Sequence, residues 1–406
     1  MDSKNSIIGF KGFDDDLSCR GFKYEVGKTY DLKGEAVCCQ RGFHFCENPL
    51  EVFNYYSPCL SRFCQVEGGG NIDKSEADSK VAASHIHISS EIGLNGLIDE
   101  GVKYILDKVE FNNGESTNPS CKSVATTTRD QSAAICTGDY SSATSTSIYS
   151  AAINSGYKSV ATNLCNYSVA TNSGDGSVAT NTCEYSAATN SGCCSVATST
   201  GEYSAAMNSG EYSAATSTGD SSAATNTGFK SSATNSGYKS AATNIGDQSV
   251  ATNTGGFSLA INSGDYSVAT NTGMHSVAEN SGDYSVATNT GMFSLAENSG
   301  DRSVATNTCE HSSATSSGKE STAISTGLES SATVQGNDSV AVATGKDSKA
   351  CGVLGSWIVL TERGGFNGEI FPIKEVKAFK VDGINIKENT FYRLIDGKAV
   401  EVDLTR

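Results

Sequence analysis

The chain has 406 residues, a formal charge of −16 and only 37 % hydrophobic residues, fewer large apolar side chains than a conventional globule of this length uses. An acidic surface repels nucleic acid, and no apolar run approaches the ~20 residues of a membrane span. Met1–Asp16 lacks a basic stretch followed by an apolar one, so a secretory leader is not expected; the expected place is the cytoplasm or a virion assembled there, with the 14 cysteines mostly as thiols.

Residues 1–115 carry large aromatics and mixed charge. Ile7–Phe13 reads as a strand, and Lys80–Ile88 ends in an alternating His-Ile-His-Ile run. Leu97–Val109 has Ile98, Val102, Ile105, Leu106 and Val109 at helical spacing. The region is expected to be a small α+β domain. Cys38, Cys39, His44 and Cys46 lie close in sequence, with Cys19, Cys59 and Cys64 in the same domain. Thiolate and imidazole suit zinc, but the C-x2-C spacing is absent, and the expected reading is buried thiols and a core histidine without metal. His85 and His87 share one face of a strand and lack a third ligand nearby.

From Ser123 the chain repeats every nine residues as S-x-A-T-N-[ST]-G-x-x, 26 times without an insertion. The first position is always Ser and the third always Ala, the fourth is Thr in 17 repeats, the fifth Asn in 16 and the seventh Gly in 20. A fixed period of this kind signals a solenoid and argues against disorder, which needs no spacing. Each unit reads as one strand and one turn. First, third and fifth positions share a face. Glu279 and Glu297 at the fourth position place that position outward, because unpaired Glu is rarely buried. Ser and Ala therefore point inward, between two close walls. The seventh-position Gly is expected to supply a left-handed corner.

A second period sets the coil. Sixth positions alternate between Thr and Ser, and the ninth-position aromatics Tyr149, Tyr167, Tyr185 and Tyr203 step by 18, as do Phe257, His275, Phe293 and His311. Two repeats per coil give about 13 coils, roughly 60 Å at ~4.8 Å per coil, with aromatics stacked in columns. The column Asp247, Asp265, Asp283, Asp301 is expected to be solvated turn carboxylates. One outward face repeats Thr-x-Thr: Thr180 and Thr182, Thr198 and Thr200, Thr216 and Thr218, Thr252 and Thr254, Thr270 and Thr272, Thr288 and Thr290, Thr306 and Thr308. A flat Thr array of this spacing is similar to the surface of ice-binding solenoids. Residues 357–406, with strand-like Trp357–Leu360, Val376–Val381, Phe391–Ile395 and Ala399–Val402, are expected to cap the last coil, and the N-terminal domain to cover the first.

Lys11–Tyr30 (KGFDDDLSCRGFKYEVGKTY) followed by Gly42–Tyr56 (GFHFCENPLEVFNYY) resembles an uncharacterised domain of phages and bacterial genomes, members of which continue into S-x-A-T-N-T-G repeats and close like Gly345–Leu360 and Lys380–Lys398 here. The resemblance covers nearly the whole chain and implies a phage or prophage origin, with no activity attached. Gly42–Phe45 through Asn54–Tyr56, then Arg62–Glu67, is also similar to the core strands of ADP-ribosyltransferases. That likeness implies a nicotinamide pocket along the Gly-aromatic strand, but the early His and late Glu of that family have no match.

The expected architecture is mainly β: a head (1–115), a two-sided solenoid (116–356) and a β cap (357–406). The expected role is non-enzymatic, without cofactor: a scaffold whose head, through Phe43, His44, Phe45, Tyr55 and Tyr56, contacts an unidentified protein partner, with no nucleic acid or membrane. Ice binding through the Thr face and transferase chemistry in the head are the alternatives.

Overall fold

The computed structural model describes residues 6–58, 61–109 and 116–402; Cys59 and the head–solenoid junction lie outside the described residues. The chain resolves into two compact units, Met1–Asn208 with Ala215–Thr225, and Ser209–Ala214 with Asn226–Arg406. The whole is mainly β, with a solenoid of about 14 turns and a small N-terminal β-rich domain.

In the first unit the head has strands β1 (Ile7–Phe13), β2 (Ser18–Cys19), β3 (Phe22–Lys23), β4 (Thr29–Asp31), β5 (Phe43–Cys46), β6 (Arg62–Lys74) and β7 (Lys80–Glu91). All pairings among β1, β5, β6 and β7 are antiparallel and close on themselves: β5 with β1, β1 with β6, β6 with β7, β7 with β5. β4 extends the β7 edge beyond β5. The sheet is therefore barrel-like, filled by Phe13, Phe45, Val66, Val81, Ala83, Ile86 and Ile88. A 3-10 turn, Pro49–Asn54, starts where the Asn48 side chain accepts the Leu50 N–H and proline supplies a preset φ. Helix α1 (Gly93–Leu106) buries Leu97, Ile98, Gly101 and Ile105. It starts four residues before the expected Leu97 and ends three before Val109, because apolar spacing marks the buried face of a helix and not its ends.

The solenoid turns once per 18 residues, since strands two apart in the chain pair in parallel and in register: Ala151 with Val169, Val169 with Ala187, Ala187 with Ala205 on one wall, and Val160 with Val178, Val178 with Val196 on the other. The second unit repeats the pattern, with Val250 against Val268 and Leu259 against Val277. Every third-position Ala from Ala125 to Ala350 is buried. The inward polar groups are consumed by the backbone. Ser159 Oγ accepts the Ser141 N–H at 3.0 Å and donates to the Gly138 carbonyl at 3.3 Å. Asn172 Nδ2 donates to the Ser159 carbonyl at 2.9 Å while its Oδ1 accepts the Gly174 N–H at 3.0 Å. Each such bond contributes about 1 kcal/mol net, and losing one partner inside costs more. Ser145, Ser199, Ser217, Ser316 and Ser325 stand where Asn usually does, are too short to make these bonds, and leave Oγ without a partner.

The corner corrects the expectation for Gly. The left-handed residue is the ninth of each repeat, as in Gln248 (φ 54) and Tyr266 (φ 54). The seventh-position Gly has no positive φ; it is required by proximity, since a Cβ on Gly282 would stand 2.0 Å from the Gly264 carbonyl oxygen one coil away. Cys165, Cys183 and Cys309 occupy that position in three coils; Asn163 and Asn181 Nδ2 have no partner there, whereas Asn307 Nδ2 still donates to the Ser294 carbonyl at 3.2 Å.

The head lies along a wall, not over the first coil as expected. Leu97, Ile98 and Ile105 of α1 pack with Leu50, Val52, Phe53 and Phe63 against Val169, Ala205 and Ala223. Val109 packs against Ala133 and Ala151. In the second unit the cap closes both walls: Trp357–Arg363 pairs with Val340–Ala343 and is covered by Ile373–Lys380, while Tyr392–Ile395 pairs with Lys349–Cys351 at Ala350. The outer strand, IKEVKAFK, is studded with Lys and Glu, which discourages further pairing.

The two corner positions should respond oppositely to mutation. Gly282→Ala should destabilise by about 1–3 kcal/mol, since backbone must move, whereas Gln248→Gly, at a left-handed position, should stay within about 1 kcal/mol of wild type. Urea midpoints of the two variants decide it; a harmless Gly282→Ala would contradict the close-approach account.

Candidate functional site

Phe43, His44, Phe45, Tyr55 and Tyr56, singled out from the sequence, all line one cavity of about 720 Å³ in the head. Its walls come from β1, the β2–β3 hairpin, β4, β5 and the residues after the 3-10 turn, and include Phe10, Phe22, Tyr24 and Tyr30. Tyr24 is the hub of the ring cluster, 4.9 Å from Phe22, 5.1 Å from Tyr30 and 6.3 Å from Phe43. Volume and lining fall in the range of small-molecule sites. Gly12 lets the Tyr56 ring pack directly onto β1: a Cβ there would meet that ring at 2.3 Å.

Lys11, which sequence reasoning missed as a site residue, is the chemical centre. It is only 4 % exposed. On β1 it shares a face with Phe13 two residues on, and its ammonium lies 5.1 Å from the Phe13 ring centre and 5.4 Å from that of Tyr56. Its polar contacts are Cys19 Sγ at 3.6 Å and Tyr56 Oη at 3.5 Å. Cys19 Sγ and Tyr56 Oη are in turn 2.9 Å apart. Among the described residues no carboxylate forms an ion pair with Lys11. Burial therefore pushes its pKa down, partly opposed by Cys19, and burial likewise pushes the Tyr56 hydroxyl well above the usual phenol range. The available signal was a single lysine in the otherwise apolar strand IIGFKGF.

His44 accepts the Cys39 N–H at Nε2, 3.0 Å away. Burial, and then the nearby Lys11, lower its pKa. At the rim, Tyr55 donates to Asp78 and accepts from Lys80 Nζ at 3.1 Å, and burial followed by the Asp78 contact pushes Tyr55 up to about 12. Cys46 is buried in the apolar cluster under the 3-10 turn and Cys64 in the barrel core. His85 meets Asp31 at 2.7 Å and His87 meets Thr29 Oγ1 at 2.9 Å, so each strand histidine has its own partner across the β4–β7 pair. Among the described residues no group of three or more His, Cys, Asp and Glu is placed to hold a metal ion.

The Tyr149, Tyr167, Tyr185, Tyr203 column is stacked, with centres 5.1–5.2 Å apart, and it faces the head: Glu51 interacts with Tyr167 and Asn54 with Tyr185, and Lys108 lies over Tyr149 at 5.8 Å. In the second unit Phe257, His275, Phe293 and His311 stack likewise at 4.8–5.1 Å.

The Thr pairs occupy the outward side of one wall in each unit. Thr180 pairs in register with Thr198, and Thr252, Thr270, Thr288 and Thr306 follow one another. Their sixth-position companions Thr182, Thr200, Thr218, Thr254, Thr272, Thr290 and Thr308 are exposed. The aspartate column has a structural use: Asp247, Asp265 and Asp283 each accept the N–H of the next Asp one coil on, at 2.8–2.9 Å, and Asp301 accepts that of Lys319.

Residues 7–100 match the model of a domain of unknown function, DUF7666. No curated protein and no solved structure matches the chain. No described helix is long and apolar enough to cross a membrane.

Lys11 gives the site a pH signature. Its folded pKa lies below the ordinary 10.5, so between the two values the unfolded chain holds a proton that the folded chain does not, and stability rises with pH across that window. Wild type minus Lys11→Met, compared by denaturant unfolding across the alkaline range, should show this rise, with the difference least favourable to wild type at low pH. A flat difference would mean that Lys11 is solvated.

Proposed function

We propose that this protein is a non-enzymatic binding protein, a solenoid scaffold carrying a head whose cavity grips an aromatic group. The observation that carries the proposal is the convergence of Phe43, His44, Phe45, Tyr55 and Tyr56 with Phe22, Tyr24 and Tyr30 on one cavity. Aromatic walls recognise rings by edge and offset-stacked contacts, and the Lys11, Cys19 and Tyr56 groups at the base supply orientation. The ring belongs to a free small molecule or to a side chain of the protein partner expected from the sequence. A phage or prophage origin and a place in the host cytoplasm or virion belong to the same proposal and rest on the sequence resemblance.

Benzyl alcohol, p-cresol and indole, titrated into the full-length protein by calorimetry, should bind, and Phe43→Ala should weaken binding by about tenfold or more, roughly the 1.4 kcal/mol of a lost ring contact. Absence of binding by all three probes would overturn the aromatic reading.

A second reading is favoured by the registered Thr columns in each unit. Outward Thr rows at strand spacing present methyls and hydroxyls in a regular lattice, which suits an ice or other crystal surface. Thermal hysteresis and slowed ice recrystallisation, both abolished by Thr270→Tyr and Thr288→Tyr together, are its expected outcomes. A protein that leaves ice growth unchanged would exclude it.

A further inference from the structure

We propose that Lys11 captures carbonyl compounds, its ε-amine condensing with an aromatic aldehyde or ketone held in the head cavity to give an imine. The inference rests on the reading of the cavity as a ligand site and names the class of ligand.

A lysine kept inside a protein for structural reasons normally meets a carboxylate, because an unpaired buried ammonium is costly. Lys11 is 4 % exposed and lines the cavity, yet its polar neighbours are a thiol and a phenol at 3.6 and 3.5 Å. Lys80, the other lysine of the cavity, differs: it sits beside the Tyr55–Asp78 pair at the rim, and its hydrogen bonds to Cys39 and Tyr55 outweigh burial and keep it charged. Desolvation favours the neutral form of Lys11, and a neutral amine in an apolar pocket is a nucleophile.

The surrounding groups match what condensation requires. The nitrogen lone pair attacks the carbonyl carbon, forming the C–N bond, and the carbonyl π pair moves to oxygen. That oxygen takes a proton from the Tyr56 hydroxyl or the Cys19 thiol, which share a hydrogen bond of 2.9 Å beside the amine. The nitrogen then loses a proton to the same pair. The hydroxyl takes a second proton from the same pair and departs as water as the C–O bond breaks and the nitrogen lone pair forms C=N; the iminium then returns its N–H proton to that pair, leaving the imine. Nothing is oxidised or reduced, and one water is released. The aromatic walls select a carbonyl attached to a ring over an aliphatic one.

The test is benzaldehyde with cyanoborohydride, added to full-length protein near neutral pH, followed by peptide mapping. Hydride reduction fixes the imine as an N-benzyl lysine. Lys11 should be modified faster than exposed Lys23 and Lys33, and benzyl alcohol, which has the ring without the carbonyl, should slow labelling at Lys11 alone. Tyr56→Phe together with Cys19→Ala should slow it about tenfold or more, by loss of the proton donors, with the fold checked by circular dichroism. Lys11→Arg, which keeps a long basic side chain but has no nucleophilic amine, should abolish the adduct. Labelling of Lys11 no faster than of Lys23 would overturn the proposal. If benzyl alcohol still binds and Phe43→Ala weakens it, that failure belongs to the imine alone and the cavity reading stands; if benzyl alcohol does not bind either, both fall.

Discussion

The close approach of successive coils at the corners is the constraint on which the solenoid depends. A carbonyl oxygen of one coil stands where the Cβ of the next corner residue would be, 2.0 Å from the ideal position at Gly282. With the corners this tight, the walls between them leave room inside mostly for Ala, Ser and Asn. Small interiors bury little apolar area, so the hydrophobic contribution per residue is modest. Hydrogen bonding takes its place: the Ser and Asn side chains meet backbone groups that the narrow turn exposes, coil after coil. Deviations show the rule. Where Ser replaces Asn, and at two of the three corners where Cys replaces Gly, a buried polar atom is left without a partner.

The same economy explains the outside. With the interior largely spent on Ala, Ser and Asn, most variation is pushed to the outward second, fourth, sixth, eighth and ninth positions. Aspartates at the eighth position join corners by accepting an N–H from the next coil. Rings at the ninth position stack into columns, even though the backbone there is left-handed and unfavourable for a side chain with a Cβ. The stacking and the inter-coil N–H bonds offset that cost.

The outer wall also records where the head sits. Second-position residues along the covered stretch are Ala133, Ala151, Val169, Ala187, Ala205 and Ala223, all buried, whereas Leu259, Val277 and Leu295, at the equivalent positions of the second unit, are partly exposed. Small residues let helix α1 approach the sheet, and the tyrosine column lies beside it. Phe10, Cys46, Val52 and Tyr56 line the cavity and also belong to the cluster packed on the solenoid wall, so scaffold and recognition meet at those side chains.

By itself the sequence determined the repeat, the 18-residue coil, the inward and outward faces and the aromatic columns, because each follows from a local period copied through 26 units; the capping strands were legible from their own apolar runs. It also marked the five aromatic and histidine residues of the head. It did not reveal why the seventh residue is Gly, since a contact between residues 18 apart leaves the same mark as a left-handed turn. Nor did it reveal the run of outward alanines as a docking strip, because Ala is ordinary in this composition until a helix lies on it. Lys11 was equally silent: one lysine in a strand is unremarkable until the barrel closes, removes its water and sets it between Cys19 and Tyr56. Local periodicity is written along the chain; burial, close approach and the pairing of distant residues arise only when the barrel and the coils close, and those decided the site.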